Sequence, residues 1–217
     1  MASASQSAPP APRLYLVTPE IRDPSGATAA LTDALKAADV AAVLVRLAEA
    51  DERTLIKHIK ALAPVIQDHG AALILHGRAD LVARSGADGA HLTGIAAFNE
   101  AVETLKPDWI AGCGGLTSRH DAMLAAEGAA DYLMFGEPDS DGHRPASDAI
   151  AERVQWWAEV FQIPCIGFAA SLDEVAEFSR LGAEFVAVSD LVWSDSRGPA
   201  AAVREITSRL MTPEPVS

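Results

Sequence analysis

Cysteine is scarce in this 217-residue chain: Cys113 and Cys165 are the only two. They lie far apart in apolar segments and make no metal-ligand spacing, so reduced thiols are expected and a disulfide framework is excluded. Positive charge is also short, with 17 Lys+Arg against 30 Asp+Glu and a net charge of −13. A chain this acidic offers no broad basic face, which argues against nucleic acid and anionic membrane as partners. No apolar run approaches the roughly 18 residues of a membrane span. Residues 1–12 are mainly Ala, Ser, Pro and Gln, without a basic start or an apolar stretch, so no signal peptide is expected and the location expected is cytoplasmic. Nor does a G-x-G-x-x-G follow the first apolar run, where Thr18, Pro19 and Glu20 stand instead; the dinucleotide fingerprint is absent.

What is present is periodic. Hydrophobic residues make up 49% and charged residues 22%, a globular balance that excludes disorder for the bulk of the chain. Eight short apolar runs stand at residues 14–17, 42–45, 72–75, 89–92, 109–112, 132–135, 165–168 and 185–188. They begin about every 25 residues, which leaves room for one crossover helix each. They do not alternate apolar with polar, as strands buried on both faces of a parallel sheet do not. Between them lie helical stretches with start and stop signals: 51–69 with Asp51 as N-cap and Gly70 after it, 117–127 before Gly128, and 171–181 before Gly182. Ser171 and Glu174 have capping-box spacing. Eight strand–helix units predict a single (β/α)₈ TIM barrel over residues 13–211, between tails 1–12 and 212–217 expected to be unordered. A doubly wound open sheet is the alternative.

In a barrel the working residues sit at the C-terminal ends of the strands. Those ends carry Arg46, His76, Arg78, His91, Gly114, Gly136, Glu137, Gly167, Ala169, Ala170, Ser189 and Asp190. The many small residues let backbone approach a ligand, and N–H groups there can cradle a phosphate. Arg46 either grips an anion through its fork of donors or pairs with Glu49 or Asp51. His76 and His91 end neighbouring strands. They are either rim histidines or an acid/base pair; a metal would need a third ligand, and Asp80 and Asp88 read as helix-start and turn residues. Cys113, in the Gly112–Gly115 cluster, has no base nearby and reads as an inert thiol. Glu137, Asp139, Asp141 and His143 read as a solvated acidic loop or as a lid for a cationic ligand. Trp156, Trp157 and Phe161 either pack on the barrel exterior or offer a patch for homo-oligomerisation.

The order of the segments resembles the thiamine phosphate synthase family and its relatives, the TenI-type thiazole tautomerases. Leu14-Tyr15-Leu16-Val17-Thr18 is similar to the family's opening strand, and residues 43–48 and 51–55 to its second strand and helix. The most similar stretch runs from Leu73 through His76-Gly77-Arg78 to His91 and Leu92. Residues 128–132, 163–164 and 181–184 continue the likeness, which spans about Arg13 to Trp193. It implies a TIM barrel, thiamine biosynthesis, and a transferase that joins a pyrimidine pyrophosphate to a thiazole phosphate with the help of magnesium. It also implies Arg46, Arg78, Gly114 and Gly136 as substrate-binding, with Gly167, Ala169, Ala170, Ser189 and Asp190 around a phosphate.

The chain departs from the family at the chemistry. The family's Gln-x-Arg-x-Lys on the second strand falls on Leu44, Arg46 and Ala48, and only the arginine remains. The carboxylate that follows the third strand is replaced by His76-Gly77, and the one after the fourth strand by Thr93-Gly94-Ile95-Ala96. A hard cation needs oxygen ligands, so no metal site and no cofactor are expected. The family's lysine after the sixth strand has no counterpart in residues 136–142, the tautomerase histidine falls on Glu137, and two phosphate-cup glycines become Ala169 and Ala170. The expectation is a barrel that binds a small phosphorylated heterocycle without efficient magnesium-dependent synthesis. The alternatives are a non-catalytic or regulatory binding protein, or a metal-free acid/base enzyme using His76, His91 or Glu137.

Overall fold

Strands buried on both faces can satisfy their backbone only by closing on themselves or by being covered, and here they close. The computed structural model describes residues 11–210. Eight parallel strands form one closed ring in sequence order: β1 (Arg13–Ile21), β2 (Val40–Leu47), β3 (Ala72–His76), β4 (Gly89–Thr93), β5 (Ile110–Gly114), β6 (Tyr132–Phe135), β7 (Cys165–Ala169) and β8 (Phe185–Val188). β8 pairs with β1 from Phe185–Arg13 to Val188–Leu16, which closes the barrel and removes the open-sheet alternative. The strand expected at 109–112 begins one residue later and runs on to Gly114. The tail expectations for residues 1–10 and 212–217 lie outside the described residues, as does residue 211 at the end of the expected barrel.

β1 runs further than its apolar pattern implied, through Thr18, Pro19 and Glu20 to Ile21. Pro19 has no N–H to give the ladder, and the register with β2 shifts between Val17 and Glu20. The Thr18 hydroxyl accepts the Arg46 amide at 3.0 Å across this break, which fixes the end of β2.

The helices start where their caps lie. Asp23 caps α1 (Pro24–Ala37), with Pro24 in its first turn. Asp51 accepts from the Thr54 amide and caps α2 (Glu52–Gln67), whose Leu55, Ile59, Leu62 and Ile66 are buried. α3 (Ala79–Ser85) and α4 (Ile95–Leu105) follow β3 and β4. The complete capping box is on α5 (Arg119–Glu127), where Ser118 and Asp121 bond reciprocally. At α7 (Leu172–Arg180) only half of the expected box forms: Ser171 accepts from the Glu174 amide, but the Glu174 carboxylate turns to the Ala170 amide at 2.7 Å. α6 (Ser147–Val160), α8 (Asp190–Trp193) and α9 (Pro199–Leu210) complete the ring. Trp157 of α6 is fully buried and stacks on Phe161 at 4.0 Å, so it packs on the barrel exterior; the Arg119 guanidinium covers the Trp156 ring at 4.7 Å. No helix among the described residues is long and apolar enough to cross a membrane.

Alternate strand residues divide the apolar material into two cores. Outward side chains meet the helices, and inward ones, including Tyr15, Val17, Leu44, Ile74, Tyr132, Met134, Ile166 and Phe168, fill the barrel. Above that inner core the strand ends open a cavity of about 680 Å³.

Candidate active site

The chain has two tyrosines, and both point into the barrel. The hydroxyls of Tyr15 on β1 and Tyr132 on β6 lie 2.8 Å apart, buried. Burial raises both phenols above their ordinary range, so they stay protonated and must find partners. Tyr132 reaches Nδ1 of His91 at 3.1 Å, and its ring stacks on the imidazole. His91, fully buried on β4, meets the Glu137 carboxylate through Nε2 at 2.8 Å. An ionised carboxylate only accepts, so Nε2 of His91 donates to Glu137. The line ends at Glu137.

Small residues make the line possible. A Cβ on Gly112 would stand 2.0 Å from Cζ of Tyr132, and a Cβ on Gly114 would stand 2.5 Å from Glu137 Oε1 and 2.7 Å from His91 Nε2. Gly136 takes a φ of +89°, in the left-handed region, directly before Glu137. The expectation of a solvated acidic loop is thereby corrected for Glu137, whose side chain is one-tenth exposed. Asp139 and Asp141 remain exposed, as that expectation had them. Burial opposes ionisation of Glu137, but the charge and hydrogen bond of His91 outweigh it and hold the carboxyl below its usual range. Its second oxygen, Oε1, is buried with no hydrogen-bond partner.

His76 stands beside this line, its ring 6.2 Å from that of His91 and roughly parallel to it. It is open to the cavity, yet the surrounding mouth desolvates it. Desolvation and then the neighbouring His91 lower its pKa, with Glu137 acting oppositely and Arg46 adding to the fall, so it is neutral at pH 7. Asp80 is engaged by Arg78, and Asp88 by the Leu73 amide and Gln67, so neither completes a metal set with the histidines.

Arg46, His76, Glu137, Ala169, Ala170, Ser189 and Asp190 all line the cavity. Arg46 has no carboxylate partner among the described residues; Asp51, one of its expected partners, caps α2 instead. The structure does not bring Arg78 to the lining, where it pairs instead with Asp80 at 2.8 Å. Gly167 lies against Phe178 and Gly136 against Ile150, so both serve close packing behind the site. Cys113 is fully buried in the outer core, and burial pushes its thiol up to about 12, an inert group.

Sequence reasoning missed Tyr15, Tyr132 and the clamp made by Arg144. That guanidinium donates to both carboxylate oxygens of Glu174, at 3.1 and 2.9 Å, to the Phe168 carbonyl at 2.7 Å and to the Gly136 carbonyl at 3.2 Å. The signal for the tyrosines was their position in otherwise apolar strand runs, where a hydroxyl requires a partner. For Arg144 the sequence gives no such signal.

A magnesium ion of the kind the resemblance implies does not fit the groups present. The ends of β3 and β4 present an imidazole and a hydroxyl, and of the buried Glu137 carboxylate one oxygen is held by His91. The exposed trio Asp139, Asp141 and His143 lies on the loop after β6, where Asp139 reaches the cavity rim and accepts the amides of the other two.

A closed parallel barrel with polar groups gathered at the C-terminal strand ends defines a TIM-barrel protein with its candidate site where such barrels carry theirs. The chain belongs to the thiamine monophosphate synthase family, whose model matches residues 14–192. It is 39% identical over 196 residues to a thiamine-phosphate synthase of Rhodospirillum centenum, covering 89% of this chain and 95% of that one. A thiamine-phosphate synthase of Hyphomonas neptunium is 34% identical over 206 residues, covering 90% and 92%. Among solved structures, thiamine phosphate pyrophosphorylase from Pyrococcus furiosus superposes with a TM-score of 0.73 at 22% identity, over 91% of this chain and 95% of that one. The 3-hexulose-6-phosphate synthase of Salmonella typhimurium gives 0.70 at 14% identity, over 91% and 98%, a likeness of fold alone.

Proposed function

We propose that this protein serves thiamine biosynthesis, that its barrel mouth binds a small phosphorylated heterocycle, and that it does not efficiently run the magnesium-dependent condensation for which its relatives are named. The observation that carries this reading is the donor set at the ends of β3 and β4, His76 and Thr93, where a magnesium-held pyrophosphate needs carboxylates. Charge supports it. Arg46 shares the cavity lining with the carboxylates of Glu137, Asp139 and Asp190, while the Arg144 charge is spent on Glu174. One free guanidinium suits a single phosphate far better than a pyrophosphate. The Ala170 amide, one expected donor to that phosphate, is given to Glu174. The phosphate contacts therefore rest on Arg46 of β2, with Ala169 at the end of β7 and Ser189 after β8 further round the same rim.

A turnover assay with pyrimidine pyrophosphate, thiazole phosphate and magnesium tests the proposal. Formation of thiamine phosphate is expected to be far below about 1 s⁻¹, the low end of ordinary enzyme rates; turnover of about 1 s⁻¹ or more overturns it.

A second reading is favoured by the line that ends at Glu137, beside neutral His76: a metal-free acid/base enzyme on the same barrel. His76 then acts as the proton acceptor open to the cavity, while His91 holds Glu137 in place. Substituting His76 or Glu137 should abolish such an activity and leave the melting transition cooperative.

A further inference from the structure

On the outside of the barrel, far from the mouth, α5 keeps a face that the fold does not use. Its inner side is spent on the core through Ala122 and Ala125. Its outer side, at residues 119, 120, 123, 124 and 127, is exposed along one helical stripe. Three large hydrophobic side chains are exposed among the described residues: Met123 and Leu124 on α5, and Val160 at the end of the neighbouring α6. Single exposed hydrophobics are ordinary, but three on adjoining helices form a patch.

Charge is ordered around that patch. Arg119 opens α5, Glu127 closes it, and Met123 stands midway, four residues from each. These two charges oppose the helix dipole, which favours an anion at the start and a cation at the end. The only acid in the first turn, Asp121, is engaged in the capping box, and the last turn has no basic residue. Arg119 is held at the surface by Glu152 at 2.7 Å and by the Trp156 ring beneath it, yet half of its side chain stays exposed. Glu127 has no ion pair among the described residues. The stripe therefore reads cation, apolar centre, anion, an order that is its own complement when turned end for end.

We propose that the α5 face is a homodimer interface, in which two copies pack antiparallel across a two-fold axis at Met123 and Arg119 of each copy pairs with Glu127 of the other. Residues 119 and 127 are about 12 Å apart along a helix, so both pairs form at once with the methionines and Leu124 packed between them. Each helix then receives at its start the anion, and at its end the cation, that its own sequence does not supply. A second copy is the occupant this symmetry fits, because an isologous contact requires a surface complementary to itself. One short helix and the edge of α6 make a small interface, so the dimer is expected to be reversible and dependent on concentration.

Sedimentation equilibrium of the full chain at low salt tests the inference, with melting curves to show that each variant folds. The native chain should show a monomer–dimer equilibrium. Arg119→Glu and Glu127→Arg each set like charges against each other, and each alone should raise the dimer dissociation constant by about tenfold or more. An equimolar mixture of the two variants re-forms both opposite-charge pairs in a heterodimer, and should return to within about threefold of the native constant. If Arg119→Glu does not melt cooperatively, Met123→Glu and Met123→Lys serve in the same way: each alone repels across the axis, and their mixture associates. A native chain that stays monomeric at every soluble concentration overturns the inference. So does a dimer that survives the single reversals, which would use another face, or a mixture that fails to associate.

Discussion

At the scale of single residues, Gly114 is required by the His91–Glu137 contact, not by any turn. A Cβ there would stand 2.5 Å from one partner and 2.7 Å from the other. Gly114→Ala should cost about 1–3 kcal/mol, as overpacking does, and displace the carboxylate from the cavity wall. Thermal melting measures the first effect and ligand titration the second. Tyr132→Phe leaves both His91 Nδ1 and the Tyr15 hydroxyl without a partner, and about 1–3 kcal/mol of lost stability is expected. Tyr15→Phe removes only the far end of the line and should cost less. The Glu137 carboxyl gives a pH dependence of definite sign. Its folded pKa lies below the ordinary glutamate value of about 4.3, so between the two the unfolded chain binds a proton that the native one refuses. Stability should therefore fall as pH drops through this window, and a Glu137→Gln chain should show a shallower acid limb in melting temperature against pH.

At the scale of elements, the clamp between Arg144 and Glu174 ties the loop after β6 to the start of α7 and to the last carbonyls of β7. The pair is mostly buried, with side chains 20% and 11% exposed. Glu174→Ala would strip Arg144 of its partner and free the Ala170 amide, with an expected cost of about 2–3 kcal/mol once partial exposure is allowed for. By the scaling for chains of this length, the melting temperature should drop by roughly 4–12 °C. The elements themselves were largely legible. All eight strands follow from apolar runs that do not alternate, and the Asp51 and Ser171 caps stand where the spacing put them. The clamp was not legible, because its partners are 30 residues apart and only closure of the ring brings them together. Glu137 was legible as a candidate acid/base residue, but its burial was not, for a related reason. An acidic run after a strand reads as solvated loop, and only the left-handed turn at Gly136 sends its first carboxylate inward. His76 and His91, by contrast, end adjacent strands in the sequence pattern, and the structure stacks them.

At the scale of the whole molecule, the barrel provides a ring on which opposed strand ends carry opposed charges, and the family's magnesium chemistry is the part the residues do not reproduce. The most direct test of that account is a thermal-shift titration with thiamine phosphate, with and without magnesium. Ligand at about 100 times its Kd should add roughly 2.7 kcal/mol, a rise of about 5–11 °C for a chain of this length. The account predicts this rise to be the same in both conditions. A shift that appears only with magnesium would contradict it, as would no shift at millimolar ligand.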